Sequence, residues 1–217
     1  MILTDVPVFY INLEDEVEKG EAVRLLLSGL GFKNVTRVPG VVNSVRKTGV
    51  ALAHQSALET AIPRGFPFII LEDDVVAKNF KNEIFVPEGA DAYYLGISRW
   101  GLKSGMGTQR ISAERFDDKT FRLFNMLSAH AILYLNKDYA EFILKSTKFY
   151  ASIGNNQDKG RAETMKYWNV YGSSDPLFAQ EGKYLPHTSF ILPSREPKLH
   201  AWSSCKLDLP TTLHKLS

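Results

Sequence analysis

The chain has 217 residues, enough for one substantial core, and its 44% apolar and 23% charged content is that of an ordinary soluble globular protein. A net charge of +2, from 26 basic and 24 acidic side chains, argues against a mainly electrostatic nucleic-acid binder. One cysteine, Cys205, excludes an internal disulfide framework and a zinc site built from four cysteines. No stretch approaches the roughly 20 apolar residues that cross a bilayer. Met1 to Asp5 lack both a basic start and a long apolar region, so the expectation is a cytoplasmic protein without stable membrane insertion.

Val6 to Leu13 reads as the first strand. Glu14, Asp15 and Glu16 follow, as favoured at a helix start. Val23, Leu26, Leu27 and Leu30 then recur at helical spacing, and Gly29 and Gly31 offer a stop. Val35 to Val38 reads as a second strand closed by Pro39-Gly40. Strand, helix, strand predicts a βαβ start and a parallel sheet. Residues 40 to 49 form a polar, basic loop with Asn43, Arg46, Lys47 and Gly49. The helix after it puts Val50, His54, Ala57, Leu58 and Ala61 on one face and ends at Pro63. On that face His54 reads as a satisfied core histidine in preference to a ligand.

Phe68 to Leu71 reads as a short buried strand opened by Pro67, and it stops at Glu72-Asp73-Asp74. Three adjacent acids repel one another, and a divalent cation is a reason to hold them. Mg²⁺ and Mn²⁺ favour oxygen ligands, commonly one or two carboxylates plus substrate phosphates. Alternation puts residues 72 and 74 on the same side and 73 opposite. In open α/β sheets ligands bind where strands deliver their carboxyl ends. The plain alternative is a solvated acidic turn.

Asp91 to Ile97 predicts another strand. Residues 101 to 119, rich in Gly, Ser, Thr and charge, predict a long loop that is a lid, a binding loop or disordered. Strands are expected at 121–124 and 131–135, helices at 137–146 and 162–168, and a polar loop with Asn155, Asn156 and Asp158 at 151–161. Asp175 to Phe178 reads as a turn into apolar packing and Phe190 to Leu192 as the last buried strand. No repeat or linker divides the chain, which predicts one domain over 1–217 with a polar C-terminal extension at 193–217.

Four stretches, in order, resemble glycosyltransferase family 25, the lipopolysaccharide and collagen galactosyltransferase-like proteins of GT-A fold. They are Tyr10-Ile11-Asn12-Leu13, the helix from Gly49 to Leu58, Ile69 to Val75, and Ala92-Tyr93-Tyr94-Leu95-Gly96. Weaker echoes are Ala129 to Leu135 and Asp175 to Gln180. The chain departs from the family at Glu14-Asp15-Glu16, where an arginine-rich stretch is usual. It departs again at Ala51, Leu52 and Ala53, which stand for the family's Cys and Ser ahead of His54.

The resemblance implies an α/β, GT-A-like single domain with a mainly parallel central sheet flanked by helices. It implies a hexosyltransferase that uses Mn²⁺ or Mg²⁺ to move a hexose from a UDP-sugar donor to a glycan acceptor, with inversion. Asp74 is then the first metal ligand, and Glu72 binds the ribose or the metal through water. Asp73 contributes on the donor side or merely orients the turn. His187 or His200 completes the metal site. Tyr10, Ile11, Asn12, Val41 and Arg46 surround the nucleotide. Asp158 is the general base and Asp175 the runner-up. Trp100, Arg99 and Trp168 are candidates for an acceptor platform. Each has an ordinary alternative: Tyr10 and Trp168 as packing, Arg46 as a solvated charge, Asp158 as a helix N-cap, Asp175 as a turn residue. A nucleotidyltransferase is one rival, although it would want a glycine-rich basic loop where Glu14 to Glu16 stand. A non-catalytic glycan-binding domain of the same fold is another. Sugar transfer to nucleic acid is the remotest.

Overall fold

The computed structural model describes residues 1–98, 100–103 and 108–180. His187, His200, Arg99, the strand expected at 190–192 and the extension at 193–217 lie outside the described residues.

The chain opens as β1 (Val8–Asn12), α1 (Val17–Gly29) and β2 (Val35–Pro39), followed by α2 (Arg46–Ala61) and β3 (Phe68–Glu72). β1 pairs in parallel with both β2 and β3, which is the expected βαβ start. Gly31, at φ +86°, takes the chain out of α1 in a conformation that costs glycine little. After β3 come β4 (Val75–Ala77), β5 (Ala92–Tyr94), β6 (Trp100–Leu102), β7 (Thr108–Arg110), β8 (Ser112–Arg115), β9 (Thr120–Asn125) and β10 (Ala131–Tyr134). The described chain finishes with α3 (Lys137–Ser152), α4 (Gln157–Thr164), β11 (Val170–Ser173) and β12 (Phe178–Gln180).

Eight strands form one sheet in the order β2-β1-β3-β10-β5-β11-β9-β8. The α/β class with a central sheet flanked by helices therefore stands. The pairing is mixed rather than mainly parallel: three pairs are parallel and four antiparallel. Strands β8 and β9 are joined by a short turn, and β10 runs against both β3 and β5. A turn as short as the one between β8 and β9 permits only an antiparallel pair, whereas β10 reaches β3 and β5 through long connections.

Alternation along the central strands builds two cores. Phe9, Phe68, Ile70, Ile132 and Tyr134 face α2 and α3 with Ala57, Leu58 and Ile143. Val8, Tyr10, Ile69, Leu71 and Leu133 face α1 with Val23 and Leu27. A strand covered on both sides reads as an unbroken apolar run, which is why Phe68 to Leu71 was legible. Each fully buried aliphatic or aromatic side chain here contributes roughly 1.5–3 kcal/mol before entropy is counted.

Several expected elements shift. Val50 is exposed, and α2 turns Ala51, Ala53 and His54 inward instead. Residues 101–119 are no structureless loop: β6 pairs with β7, and β8 pairs with β9. α3 runs on to Ser152, capped by Asn136, whose side chain accepts from the N–H groups of Asp138 and Tyr139. Asp158 lies in the first turn of α4, not in a loop, and the cap of that helix is Asn156. No described helix is long and apolar enough to cross a membrane.

Candidate functional site

The carboxyl ends of β1, β2 and β3 meet at one edge of the sheet. Asn12 closes β1 there, and it is buried at 2% exposure. Its Nδ2 donates to Asp73 Oδ2 at 2.8 Å and to the Glu16 carbonyl at 3.0 Å. Its Oδ1 accepts from Arg37 Nε at 2.9 Å. Its carbonyl accepts from Arg37 Nη2 at 3.1 Å and from the N–H of Gly40 at 2.8 Å. Arg37 also pairs with Glu14 at 2.9 Å. One amide side chain thus ties β1, β2, the start of α1 and the acidic turn together. Burial raises the Asp73 carboxyl above its usual range, opposed by the bond from Asn12 and the charge of Lys19.

The other two acids turn away from Asp73, as alternation predicts. Gln180, at the end of β12, donates its Nε2 to Glu72 Oε2 at 2.9 Å and lies 3.3 and 3.2 Å from the two Asp74 oxygens. The two carboxylates therefore cannot be farther apart than those two bonds laid end to end. The register that allows this is the β4–β12 ribbon, in which Gln180 stands opposite Val75. Glu72 is also held by its own N–H, which donates to the His130 carbonyl at 2.9 Å.

His54 approaches Glu72 from α2, with Nε2 at 2.9 Å from Oε1. It is 1% exposed. Burial, aided by the Arg161 charge and opposed by Asp158, pushes its pKa down to about 3. The ring is neutral at pH 7, so Nε2–H donates and the contact is a hydrogen bond rather than an ion pair. Nδ1 has no hydrogen-bond partner among the described residues. His54 is both core residue and part of the site.

Asp158 reaches the same place from α4. Its side chain is half-buried. Burial and then the Glu72 charge raise its pKa, while Arg161, His54 and the bond within the Asn156 cap lower it. Gln157 Nε2 donates to Asp158 Oδ1 at 2.7 Å. Beneath it lies Arg161, 1% exposed, with Nη2 at 3.4 Å from the Tyr134 hydroxyl. Burial opposes the Arg161 charge, but Tyr134, Tyr94 and Asp158 more than offset it. Nε and Nη1 of Arg161 have no hydrogen-bond partner among the described residues. α4 comes this close to α3 because Gly160 faces Ser146 and Tyr150, where a Cβ would meet the Ser146 hydroxyl at 2.3 Å.

The remaining expected residues spread out. Tyr10 packs in the core under α1, and Ile11 in the core under α2. Val41 is half-buried, and its carbonyl would lie 2.5 Å from a Cβ on Gly49, so the loop is wound tightly on the first turn of α2. Arg46 is exposed at the start of that helix. Asp175 is not with the acids; its side chain accepts from Asn79 Nδ2 on another face of the molecule. Trp168 packs edge-on against Tyr139 and at a tilt against Phe142, the packing alternative. Sequence reasoning missed Gln180, Arg37 and Arg161. Gln180 did fall in a stretch that echoed the family; Arg37 and Arg161 carry no local signal, because their partners come from other elements.

The donor set suits a hard divalent cation. Glu72 and Asp74 offer oxygens, and they converge on one amide. Among the described residues no group of three His, Cys, Asp or Glu side chains could hold a metal. Two carboxylates alone match the Mg²⁺ pattern in which a diphosphate and water complete the shell.

No protein-family model matches the chain, and neither does any curated protein. Solved structures similar in fold include these two. One is a glycosyltransferase involved in glycosylation of the major capsid of PBCV-1, with 11% identity, 86% of this chain and 96% of that chain covered, and a TM-score of 0.46. The other is a nucleoside-diphosphate-sugar pyrophosphorylase from Vibrio cholerae RC9, with 15% identity, 87% and 82% coverage, and a TM-score of 0.49. Both likenesses are distant, and the functional reading rests on this chain's own residues.

Proposed function

We propose that the chain is a metal-dependent glycosyltransferase that moves a hexose from a UDP-sugar to a glycan hydroxyl with inversion. The observation that carries this reading is the convergence of Glu72 and Asp74 on Gln180 at the carboxyl edge of β3, with Asp158 in electrostatic contact with Glu72.

Breaking a sugar–phosphate bond leaves negative charge on the departing diphosphate, and Mn²⁺ or Mg²⁺ held by Asp74 and Glu72 supplies Lewis-acid stabilisation there. The chain's own residues do the rest. Asn12 holds Asp73 and so fixes the turn that aims its two neighbours. His54 holds Glu72 in one orientation from inside the core. Asp158 is the general base: the acceptor oxygen attacks the anomeric carbon, its proton passes to the Asp158 carboxylate, and UDP leaves from the opposite face. A carboxyl raised toward neutrality by burial suits that role, since a base is most effective near the working pH. The nucleotide lies over the ends of β1 and β2, within reach of the loop from Val41 to Arg46.

Calorimetric titration of UDP, with and without Mn²⁺, tests the reading. Wild type is expected to bind only with the metal, and Asp74→Ala to lose at least a hundredfold in affinity. Metal-independent binding, or full affinity in Asp74→Ala, overturns it. Tight, metal-dependent binding of a nucleoside triphosphate in place of UDP would favour the nucleotidyltransferase rival.

A further inference from the structure

A second concavity lies on the sheet face opposite α2 and α3, away from the acidic edge. It is a cleft of about 390 Å³ at β5, β9 and β11. Ligand pockets begin at about this size. Its floor is hydroxyl-rich. Tyr93, 5% exposed, meets the side chains of Thr120 and Ser173. One wall is the Asn79–Asp175 pair. The opposite wall is the turn at Asp117, whose Oδ1 accepts from the N–H groups of Lys119 and Thr120 at 2.8 Å each. Burial works to raise this carboxyl, but the backbone bonds outweigh it and hold the group below its usual range, so it is ionised at pH 7.

The rim is aromatic. Phe85 lines the cleft and stacks on Phe116, with ring centroids 6.5 Å apart at 22°. Phe116 is in turn braced edge-on by Tyr171 at 5.4 Å. Phe85 and Phe116 are nevertheless 63% and 51% exposed. A stacked aromatic pair left in water at the mouth of a cleft with both apolar and hydrogen-bonding walls is an arrangement that scattered surface residues do not make. A pyranose ring is complementary to it. One face of the ring is a patch of C–H groups that packs on an aromatic face, and its edge is a ring of hydroxyls that both donate and accept. Carboxylate, amide and hydroxyl groups meet that edge better than they meet a phosphate or an aliphatic chain, because acceptors outnumber cations here.

We propose that this cleft binds a hexose unit of a neutral oligosaccharide, stacked on Phe85 and hydrogen-bonded to Asp117, Asp175 and Asn79. The site is separate from the acidic edge and needs neither nucleotide nor metal. The proposal therefore stands or falls independently of the donor reading above. Under that reading the cleft holds a part of the acceptor chain that does not react.

The test is a printed array of neutral hexose and N-acetylhexosamine oligosaccharides, probed in EDTA without nucleotide. Four proteins are compared: wild type, Phe85→Ala, Asp117→Asn and Asp74→Ala. Phe85 is exposed, so its truncation leaves folding intact, and circular dichroism checks all four. Wild type and Asp74→Ala are expected to bind the same glycans. Phe85→Ala and Asp117→Asn are expected to lose at least tenfold. No binding to any glycan by folded wild type overturns the proposal, as does binding that Phe85→Ala leaves unchanged. UDP binding that survives Asp74→Ala but is lost in Phe85→Ala would assign the cleft to a nucleotide base and also overturn it.

Discussion

Two polar clusters flank the acidic turn, and they are built in opposite ways. Around Asn12 the side-chain amide is fully engaged: Arg37 donates to it, Asp73 and a carbonyl accept from it, and the geometry is closed. Around Arg161 the polar atoms are equally buried, but Nε and Nη1 of Arg161, Nδ1 of His54 and Oε1 of Gln157 have no partner among the described residues. A closed network rigidifies what it holds. A buried cluster with unmatched atoms is where protonation states are perturbed, and such clusters gather at functional sites. The first region has the features of a scaffold, and the second is where the proposed mechanism puts the proton transfer.

Mutations separate the two roles. The largest effect is expected from Asp158→Asn, which on the proposed mechanism removes the base and should lower turnover by about 10²–10⁴-fold. Its carboxyl is raised by burial, so the folded state holds its charge at a cost, and the neutral amide removes that cost. Melting temperature should hold or rise while turnover collapses. A stability loss with intact turnover would move Asp158 to the scaffold. Asn12→Ala acts first on stability. It strips Arg37 and Asp73 of a partner and is expected to cost roughly 2–3 kcal/mol in urea unfolding. An unchanged midpoint would show that the Asn12 network does not hold the edge together.

The most gradual effect is a pH slope. The folded His54 pKa of about 3 lies below its ordinary 6.5, so the neutral ring contributes stability that is complete above pH 6.5 and is lost as pH falls toward 3. The loss is about 1.4 kcal/mol per pH unit in that window. His54→Gln should flatten this slope in urea melts run in EDTA. A slope that survives the substitution would assign the acid sensitivity to another group.

Much of the parallel half was legible because its strands are covered on both faces. Val8 to Ile11 and Phe68 to Leu71 have no polar interruption, and their ends are marked by acids. The antiparallel half was harder. β4, β6, β7 and β12 are three residues long, too short for alternation to register, and pairing partners across the fold define them. The helix expected at 162–168 lies earlier, as α4, and its first part was hidden because Gln157 to Arg161 carries no apolar side chain; Asn156 caps it and Gly160 seats it on α3. At the site, the acidic run and its alternation could be read along the chain. The contacts from His54 and Gln180 could not, because they bridge 18 and 108 positions.

The double covering of β3 has one more consequence. Most half-buried strands proofread their own register, because sliding by one position turns the apolar face to water. β3 has no such safeguard: Phe68, Ile69, Ile70 and Leu71 are all at 0% exposure, and exchanging odd for even positions would leave apolar groups on both sides. The error would surface only at the end of the strand, where Asp73 would trade places with Glu72 and Asp74. The Asn12–Asp73 bond opposes that exchange, which makes a single buried amide the parity check on which acids face the ligand.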